Sequence, residues 1–167
     1  MMFDLDNFKS INDRFGHAVG DDALRAFASS VSASMRVHDV IGRLGGEEFA
    51  TIVAVGPEIA ARIAERVRSG FEKAGAEIAG HAVGATVSIG IVSAPADRHA
   101  VDWMIARADA ALYLAKRNGR NRVEAAPLSE GTDRRQKQAE IRRPQLQPQP
   151  LKPPAILVSI DQNPSIH

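Results

Sequence analysis

The chain has 167 residues, of which 44% are hydrophobic and 25% charged, and its net charge is +1 at neutral pH. These proportions are typical of a globular domain, and the net charge argues neither for nor against a nucleic-acid or membrane partner. We expect this chain to contact neither. The absence of cysteine excludes disulfides and thiolate metal sites. No signal peptide is visible, since the N-terminus lacks a basic region followed by a long apolar run.

The chain opens with a short apolar segment that leads into a short helix. The segment MMFDLD is mostly apolar and predicts the end of a buried strand. The run DNFKSINDRFG predicts a helix in which Asp6 or Asn7 is the N-cap and Gly16 is the stop.

A longer helix and a hairpin follow. Asp21 to Arg36 is the clearest helix, because its apolar residues recur at helical spacing. The run DVIGRLGGEEFATIVAV predicts a hairpin with Gly45 and Gly46 as its turn, since glycine accepts positive φ without steric strain. On such a strand Glu47 and Glu48 would point to opposite faces, so at least one would be exposed.

The next part of the chain predicts a helix, a strand, a helix and a last short strand. Pro57 suits the first turn of a helix that Gly75 ends. Ala85 to Ser93 alternates with period two and predicts a strand, although the uncharged run around it could also be a membrane span interrupted by glycines. Val101 to Asn118 predicts a helix, and Asn121 to Glu124 a strand.

This order of elements predicts an α/β sandwich of ferredoxin-like type, in which helices pack on one mixed sheet. We expect the domain to occupy residues 1–126. Residues 127–167 are rich in Pro, Gln and Arg, and we expect them to form a disordered tail. Within this tail, the apolar run AILVSI could dock on another surface.

Four groups of polar residues could carry chemistry. They are Asp4 with Asp6, the segment INDRFGHAVGDD, the run GGEEF, and AKRNGRNR near the end of the last helix. Each also has an ordinary structural interpretation. Asp6 would cap a helix, Asp21 and Asp22 would favour a helix N-terminus, and the glutamates and the basic run would be solvated charges.

Taken together, the four groups predict a metal and phosphate site. A strand ending in Asp4 beside a hairpin that carries Glu47 would bring two carboxylates to one point. Carboxylate oxygens suit Mg²⁺, which keeps several waters and takes further ligands from substrate phosphates. Lys116 and Arg120 would supply positive charge for the outer phosphates, so these parts suit phosphoryl transfer.

Four segments in order, DLDNFKSINDRFGHAVGDDAL, RLGGEEF, TVSIGI and ADAALYLAKRNGRNRV, resemble the GGDEF domain of diguanylate cyclases. The resemblance runs from about Phe3 to Val123. It implies a nucleotide-cyclase-type fold and a bacterial signalling enzyme that condenses two GTP molecules into cyclic di-GMP and pyrophosphate, with Mg²⁺ or Mn²⁺ as cofactor. It also implies a homodimer in which each subunit holds one GTP. The need for GTP predicts a cytoplasmic location.

The resemblance also implies roles for individual residues. Asp4, the carbonyl of Leu5 and Glu47 would bind the metal. Glu47, near the reacting 3′-hydroxyl, and Glu48 are the expected catalytic carboxylates. The residues expected to bind GTP are Asn12 and Asp21 at the guanine edge, Lys116 and Arg120 at the phosphates, and Phe8 and Lys9.

A second ligand site is implied just before the hairpin. The run MRVHD places Arg36 and Asp39 in an RxxD pattern, which in the family is the inhibitory site for the product, cyclic di-GMP. Arg66 on the following helix would join this site from a neighbouring domain. An ordinary surface ion pair would give the same pattern.

One departure from the family concerns the N-terminus. The family normally has a helix and a segment resembling LTGLxNRR before the first strand, and this sequence contains neither. We therefore expect a domain that lacks its N-terminal segment. The alternative to a cyclase is a weakly active or inactive domain that binds cyclic di-GMP or GTP.

Overall fold

A five-stranded mixed sheet is the centre of the fold in a computed structural model that describes residues 1–94 and 101–126. The strands are β1 (Met2–Leu5), β2 (Val40–Gly45), β3 (Glu48–Ile52), β4 (Val87–Ile91) and β5 (Val123–Ala125). Their order across the sheet is β2-β3-β1-β4-β5, with β4 and β5 parallel and the other neighbours antiparallel. The predicted disordered tail and its AILVSI run lie outside the described residues.

The helices of the described residues are α1 (Phe8–Phe15), α2 (His17–Ser32), α3 (Pro57–Ala74) and α4 (Val101–Arg117). This order of elements around a mixed sheet confirms the predicted α/β sandwich. Within residues 1–94 and 101–126, no helix combines the length and the apolar character that crossing a bilayer requires. The uncharged run considered as a possible span instead contains β4, which is buried along its whole length.

The two faces of the sheet bury different helices, because side chains alternate along each strand. Phe3 and Leu5 point into the main core, which β1 shares with α2 and α3. Phe27 of α2 packs edge-on against Phe3 and Phe49, with ring centroids 5.7 and 4.9 Å apart. Because Phe49 points to this side, its neighbour Glu48 on β3 points to the opposite side.

The opposite face of the sheet is covered by α4. Met2 of β1 packs there against Ala108 and Leu112. Gly90 of β4 allows the helix to approach closely, since an added Cβ would lie 2.1 Å from the carbonyl oxygen of Ala108. This close packing holds the end of α4 near the end of β1.

The predicted bounds of the second helix are wrong. The helix runs from His17 to Ser32 rather than from Asp21 to Arg36. Gly16, with φ of 87°, is both the C-cap of α1 and the N-cap of α2, so the second helix begins directly after the first.

The predicted hairpin turn is displaced by one residue. The two residues between β2 and β3 are Gly46, with φ of 51°, and Glu47. The register shifts at Leu44, because Gly45 pairs with Glu48 while Arg43 pairs with Phe49. The expectation that both glutamates lie on one strand and point to opposite faces is therefore wrong.

Candidate active site

Asp4 lies on β1 with its side chain on the α4 face of the sheet. Its side chain is 9% exposed, and its Oδ2 lies 2.7 Å from Nζ of Lys116 near the end of α4. Burial raises the pKa of the Asp4 carboxyl, Lys116 acts in the opposite direction, and the negative charges of Glu47 and Glu48 raise it further. An added cation would be electrostatically favoured at such a point.

The two glutamates reach Asp4 from different positions. Glu48 is the first residue of β3 and the direct cross-strand partner of Asp4. Directly opposite residues share a face, so the Glu48 side chain leaves the strand on the same side as Asp4. Glu47 lies half-buried in the turn, where its carbonyl accepts a hydrogen bond of 3.4 Å from the N–H of Leu5. The structure thus brings Asp4, both glutamates and Lys116 together.

The donor groups at this edge fit Mg²⁺ as part of a complex with a nucleotide. Among residues 1–94 and 101–126, no three His, Asp or Glu side chains are grouped closely enough to hold a metal by themselves. Mg²⁺ is usually bound by one or two carboxylates together with waters and substrate phosphates, so a partial set of this kind is compatible with such a complex. The side chain of Leu5 is buried in the core, so only its carbonyl could take part.

The two cations predicted to bind phosphate lie near the end of α4. Lys116 is engaged with Asp4, as described above. Arg120 is exposed and follows the helix in a Schellman arrangement, in which its N–H donates to the carbonyl of Ala115 at 3.0 Å. Its backbone is left-handed, with φ of 62°, which is uncommon for a residue other than glycine.

The hairpin of α1 and α2 brings together residues predicted to bind GTP. An added Cβ at Gly20 would lie 1.9 Å from Oδ1 of Asn12 and 3.4 Å from Cζ of Phe8, so both side chains lie against the bare backbone of this glycine. Asp21 follows Gly20 and is exposed, as is Lys9 on α1. In this arrangement Asn12 occupies the space that a side chain at position 20 would fill.

The predicted inhibitory site lies on the connection between α2 and β2. Asp39 Oδ2 accepts a hydrogen bond of 2.8 Å from the backbone N–H of Arg36, so their link is not the ion pair of side chains that the pattern alone allowed. The side chain of Arg36 is exposed. Nη2 of Arg66 donates to the carbonyl of Ser34 at 2.7 Å, which brings Arg66 to this connection within one chain.

Asp6 has a role that the sequence did not reveal. Of the two predicted positions, Asn7 is the N-cap of α1, although its side chain makes no capping hydrogen bond, and Asp6 is not. Asp6 is buried, and its carboxylate accepts hydrogen bonds from Ser88 Oγ, Thr86 Oγ1 and the N–H of Asn121, at 2.6, 2.7 and 3.0 Å. The signal in the sequence was the polar positions of the alternating run TVSIGI.

A cavity of about 410 Å³ lies at the other end of β1. Apolar side chains, including Met1, Ile52, Val92 and Met104, line most of it. It contains none of the predicted site residues.

Comparison with known proteins shows the family of the chain. The family model described as diguanylate cyclase, GGDEF domain, matches residues 1–122, and the chain belongs to this family. It is similar to Diguanylate cyclase A of Treponema denticola, with 40% identity over 124 residues that cover 74% of this chain and 33% of the relative. The chain spans between 18% and 34% of the length of the curated relatives compared with it.

Solved structures of the family have the same fold. The chain is similar to the active GGEEF domain of a diguanylate cyclase from Vibrio cholerae, with 36% identity and a TM-score of 0.70 over 77% of this chain and 81% of that one. It is also similar to the GGDEF domain of DgcB from Caulobacter crescentus in complex with c-di-GMP, with 35% identity and a TM-score of 0.67 over 75% of each chain. The resemblance drawn from the sequence is thus confirmed.

Proposed function

We propose that residues 1–126 form a diguanylate cyclase domain, which condenses two GTP molecules into cyclic di-GMP and releases two pyrophosphates. The observation that carries the proposal is the meeting of Asp4, Glu47 and Glu48 with Nζ of Lys116 at one edge of the sheet. The name of the relative from Treponema denticola and the complex of a similar domain with c-di-GMP support it.

The reaction would consist of two displacements of the same kind. In each, the 3′-oxygen of one GTP bonds to the α-phosphorus of the other, the bond to pyrophosphate breaks, and the hydroxyl proton is lost to solvent. Asp4, the Leu5 carbonyl and Glu47 would hold Mg²⁺ or Mn²⁺, which when bound neutralises phosphate charge and lowers the pKa of the hydroxyl. Lys116 and Arg120 would bind the outer phosphates, since cations neutralise the charge that builds up there.

Each chain would bind one GTP, so the reaction would need two chains whose sites face each other. Asn12 and Asp21 would recognise guanine, because a carboxylate accepts from the N1 and N2 hydrogens and an amide donates to the remaining edge. Phe8 and Lys9 of α1 would complete this part of the site. Glu48 would assist in binding the metal. We also propose a cytoplasmic location, where GTP is available.

The experiment is a product assay on purified chain incubated with GTP and MgCl₂, read by mass spectrometry. We expect cyclic di-GMP, and a specific activity that rises with protein concentration as dimers form. Glu47→Gln is expected to abolish the product. Glu58→Gln, an exposed position in the first turn of α3, is the matched control and should leave the rate unchanged. A folded chain that gives no product at high concentration would refute the proposal.

A second candidate function is a binding module for cyclic di-GMP. The exposed side chain of Arg36 and the position of Arg66 at the same connection favour it. Both guanidinium groups could donate bidentate hydrogen bonds to a guanine edge or to a phosphate. Titration with cyclic di-GMP should give binding that Arg36→Ala and Asp39→Ala remove. Binding without turnover of GTP would favour the module over the enzyme, whereas inhibition of turnover would make this a regulatory site.

A further inference from the structure

The turn that carries Arg120 has an unusual backbone. Gly119, Arg120 and Asn121 have consecutive positive φ values of 118°, 62° and 44°. Glycine takes such values freely and asparagine tolerates them, but arginine is strained there. Strain of this kind persists only where the surrounding structure holds it, and it is common at functional sites.

The buried carboxylate of Asp6 holds the backbone of this turn. One of its carboxylate oxygens accepts hydrogen bonds from the backbone N–H of Asn121, at 3.0 Å, and from Thr86 Oγ1. The other oxygen accepts a hydrogen bond from Ser88 Oγ. The carboxylate is thus fully engaged by three donors. Asp6 accepts hydrogen bonds from neutral donors, whereas the carboxylate of Asp4, two residues earlier, is paired with the charged amine of Lys116.

The side chain of Asn121 ties the same turn to α3. Its Oδ1 accepts a hydrogen bond of 2.8 Å from Nη1 of Arg68, and its Nδ2 donates to Oε1 of Glu72 at 2.7 Å. Arg68 is itself held by Glu65 and Glu72, at 2.6 and 2.9 Å. Asp6 therefore holds the backbone of the turn at Asn121, and residues of α3 hold the side chain of Asn121.

We propose that Asp6 and Asn121 are positioning residues that hold Arg120 in its strained conformation so that it meets the triphosphate of GTP. The inference rests on the proposed function for its ligand, since Arg120 is there the phosphate-binding cation. Neither Asp6 nor Asn121 touches the nucleotide in this scheme. Both act through Arg120, which leads to two distinct expectations.

The first expectation concerns which part of GTP is affected. Asn121→Gly allows the left-handed backbone but removes both bonds to α3, and Asp6→Asn weakens the acceptor for the Asn121 N–H. Calorimetric titration with GTP and with guanosine, both in MgCl₂, should show about tenfold weaker GTP binding in each variant, with guanosine binding unchanged. Arg122→Ala, a neighbouring cation paired with Glu124, is the matched control and should change GTP affinity less than about twofold.

The second expectation is non-additivity. In an Arg120→Ala background, Asn121→Gly should weaken GTP binding by less than a further factor of about two, because residues that act through a common partner do not add. Full additivity, or an equal loss of guanosine binding, would overturn the inference and leave a merely structural role. Because Asp6 is buried, Asn121→Gly decides the matter if Asp6→Asn does not fold.

The same proteins separate this inference from the proposed function. Phosphate-specific, non-additive loss of GTP binding in chains that make no cyclic di-GMP would support the positioning role and refute the cyclase. Normal turnover by Asn121→Gly with an unchanged KM for GTP would do the reverse. Failure of the unaltered chain to bind GTP would overturn both.

Discussion

Asp4 and Glu48 are direct partners on adjoining antiparallel strands, so two carboxylates lie on the same side of the sheet, the side that α4 covers. Like charges in this relation destabilise a sheet. Burial adds to the effect and raises the pKa of the Asp4 carboxyl, while the ion pair with Lys116 offsets part of it. The fold is therefore less stable at this point than it could be, as is common where function requires a charged group.

Asp4→Asn should accordingly stabilise the domain and inactivate it. We expect the free energy of unfolding at pH 7 to rise, since the substitution removes a buried charge whose pKa is raised by burial. Production of cyclic di-GMP should be lost with the proposed metal ligand. Urea denaturation followed by fluorescence of the single Trp103, together with the product assay, measures both.

Asp6→Asn is the matched control for that prediction, because it makes the same chemical change two residues along. Asp6 is satisfied by three donors, so its replacement should lower the free energy of unfolding by about 1–2 kcal/mol. If both variants lost stability equally, the conclusion that Asp4 is held at an energetic disadvantage would be wrong.

Gly20→Ala should separate stability from recognition of guanine. Within a helix, alanine is more stable than glycine by about 0.5–1 kcal/mol, but here the new Cβ would lie 1.9 Å from Oδ1 of Asn12. The Asn12 side chain can rotate away, so we expect a thermal midpoint within a few degrees of the unaltered chain and GTP binding weakened about tenfold. Calorimetry with GTP, and with ATP for comparison, measures the loss of preference.

The control for Gly20→Ala is Gly70→Ala, in the interior of α3. Nothing lies within 4 Å of a Cβ added there. It should stabilise the domain by about 0.5–1 kcal/mol and leave GTP binding intact. Unchanged GTP affinity in Gly20→Ala would show that the Asn12 side chain takes no part in binding.

The elements of this fold were predictable from the sequence because their signals are local. Alternation identified β4, and helical spacing with Pro57 and Gly75 identified α3. The turn at Gly46 was missed by one residue, since either position of a glycine pair allows a turn. The choice depends on the bulge at Leu44 and on Phe49 packing against Phe27, which are tertiary features.

In the predicted site, too, local signals could be identified from the sequence and long-range contacts could not. Asp4 and Lys116 were predicted as members of one site, and the structure places Oδ2 of Asp4 2.7 Å from Nζ of Lys116, because each motif ends an element that points to the same edge. The partners of Asp6 are 82 and 115 residues away along the chain, at Ser88 and Asn121. No local pattern specifies such bonds, so a helix cap was the simpler interpretation.

Stability below neutral pH should depend on Glu72. Hydrogen bonds from Asn121 and Arg68 hold the pKa of this carboxyl below its usual value of 4.5. Since the pKa is lower in the folded state, the contribution of Glu72 is complete above the unfolded value and is lost as pH falls through the folded one. We expect urea-derived stability to fall on acidification below about pH 5, and Glu72→Gln to flatten part of that fall.

Salt provides the control for this pH dependence. Glu72 is exposed to solvent, so its contribution is small and should shrink further in 1 M salt, where charges are screened within about 3 Å. Stability curves for the unaltered chain and Glu72→Gln that stay parallel from pH 7 to about pH 3 would contradict the prediction.

Gly90→Ala should disturb the packing of α4 on the sheet and, through it, the site. The added Cβ would lie 2.1 Å from the carbonyl oxygen of Ala108 and 2.3 Å from the backbone nitrogen of Leu112, and helix backbone cannot rotate away as a side chain can. We expect a loss of about 3 kcal/mol in the free energy of unfolding. Lys116 lies one turn beyond Leu112, so displacing the helix also moves Nζ away from Asp4 and should raise the KM for GTP.

The control is Gly42→Ala on the edge strand β2, where a Cβ would meet nothing within 4 Å. This variant should change stability by less than about 0.5 kcal/mol. Equal stability of the two variants in urea would mean that the contact between α4 and β4 is looser than described, and the link from this glycine to the site would fail with it.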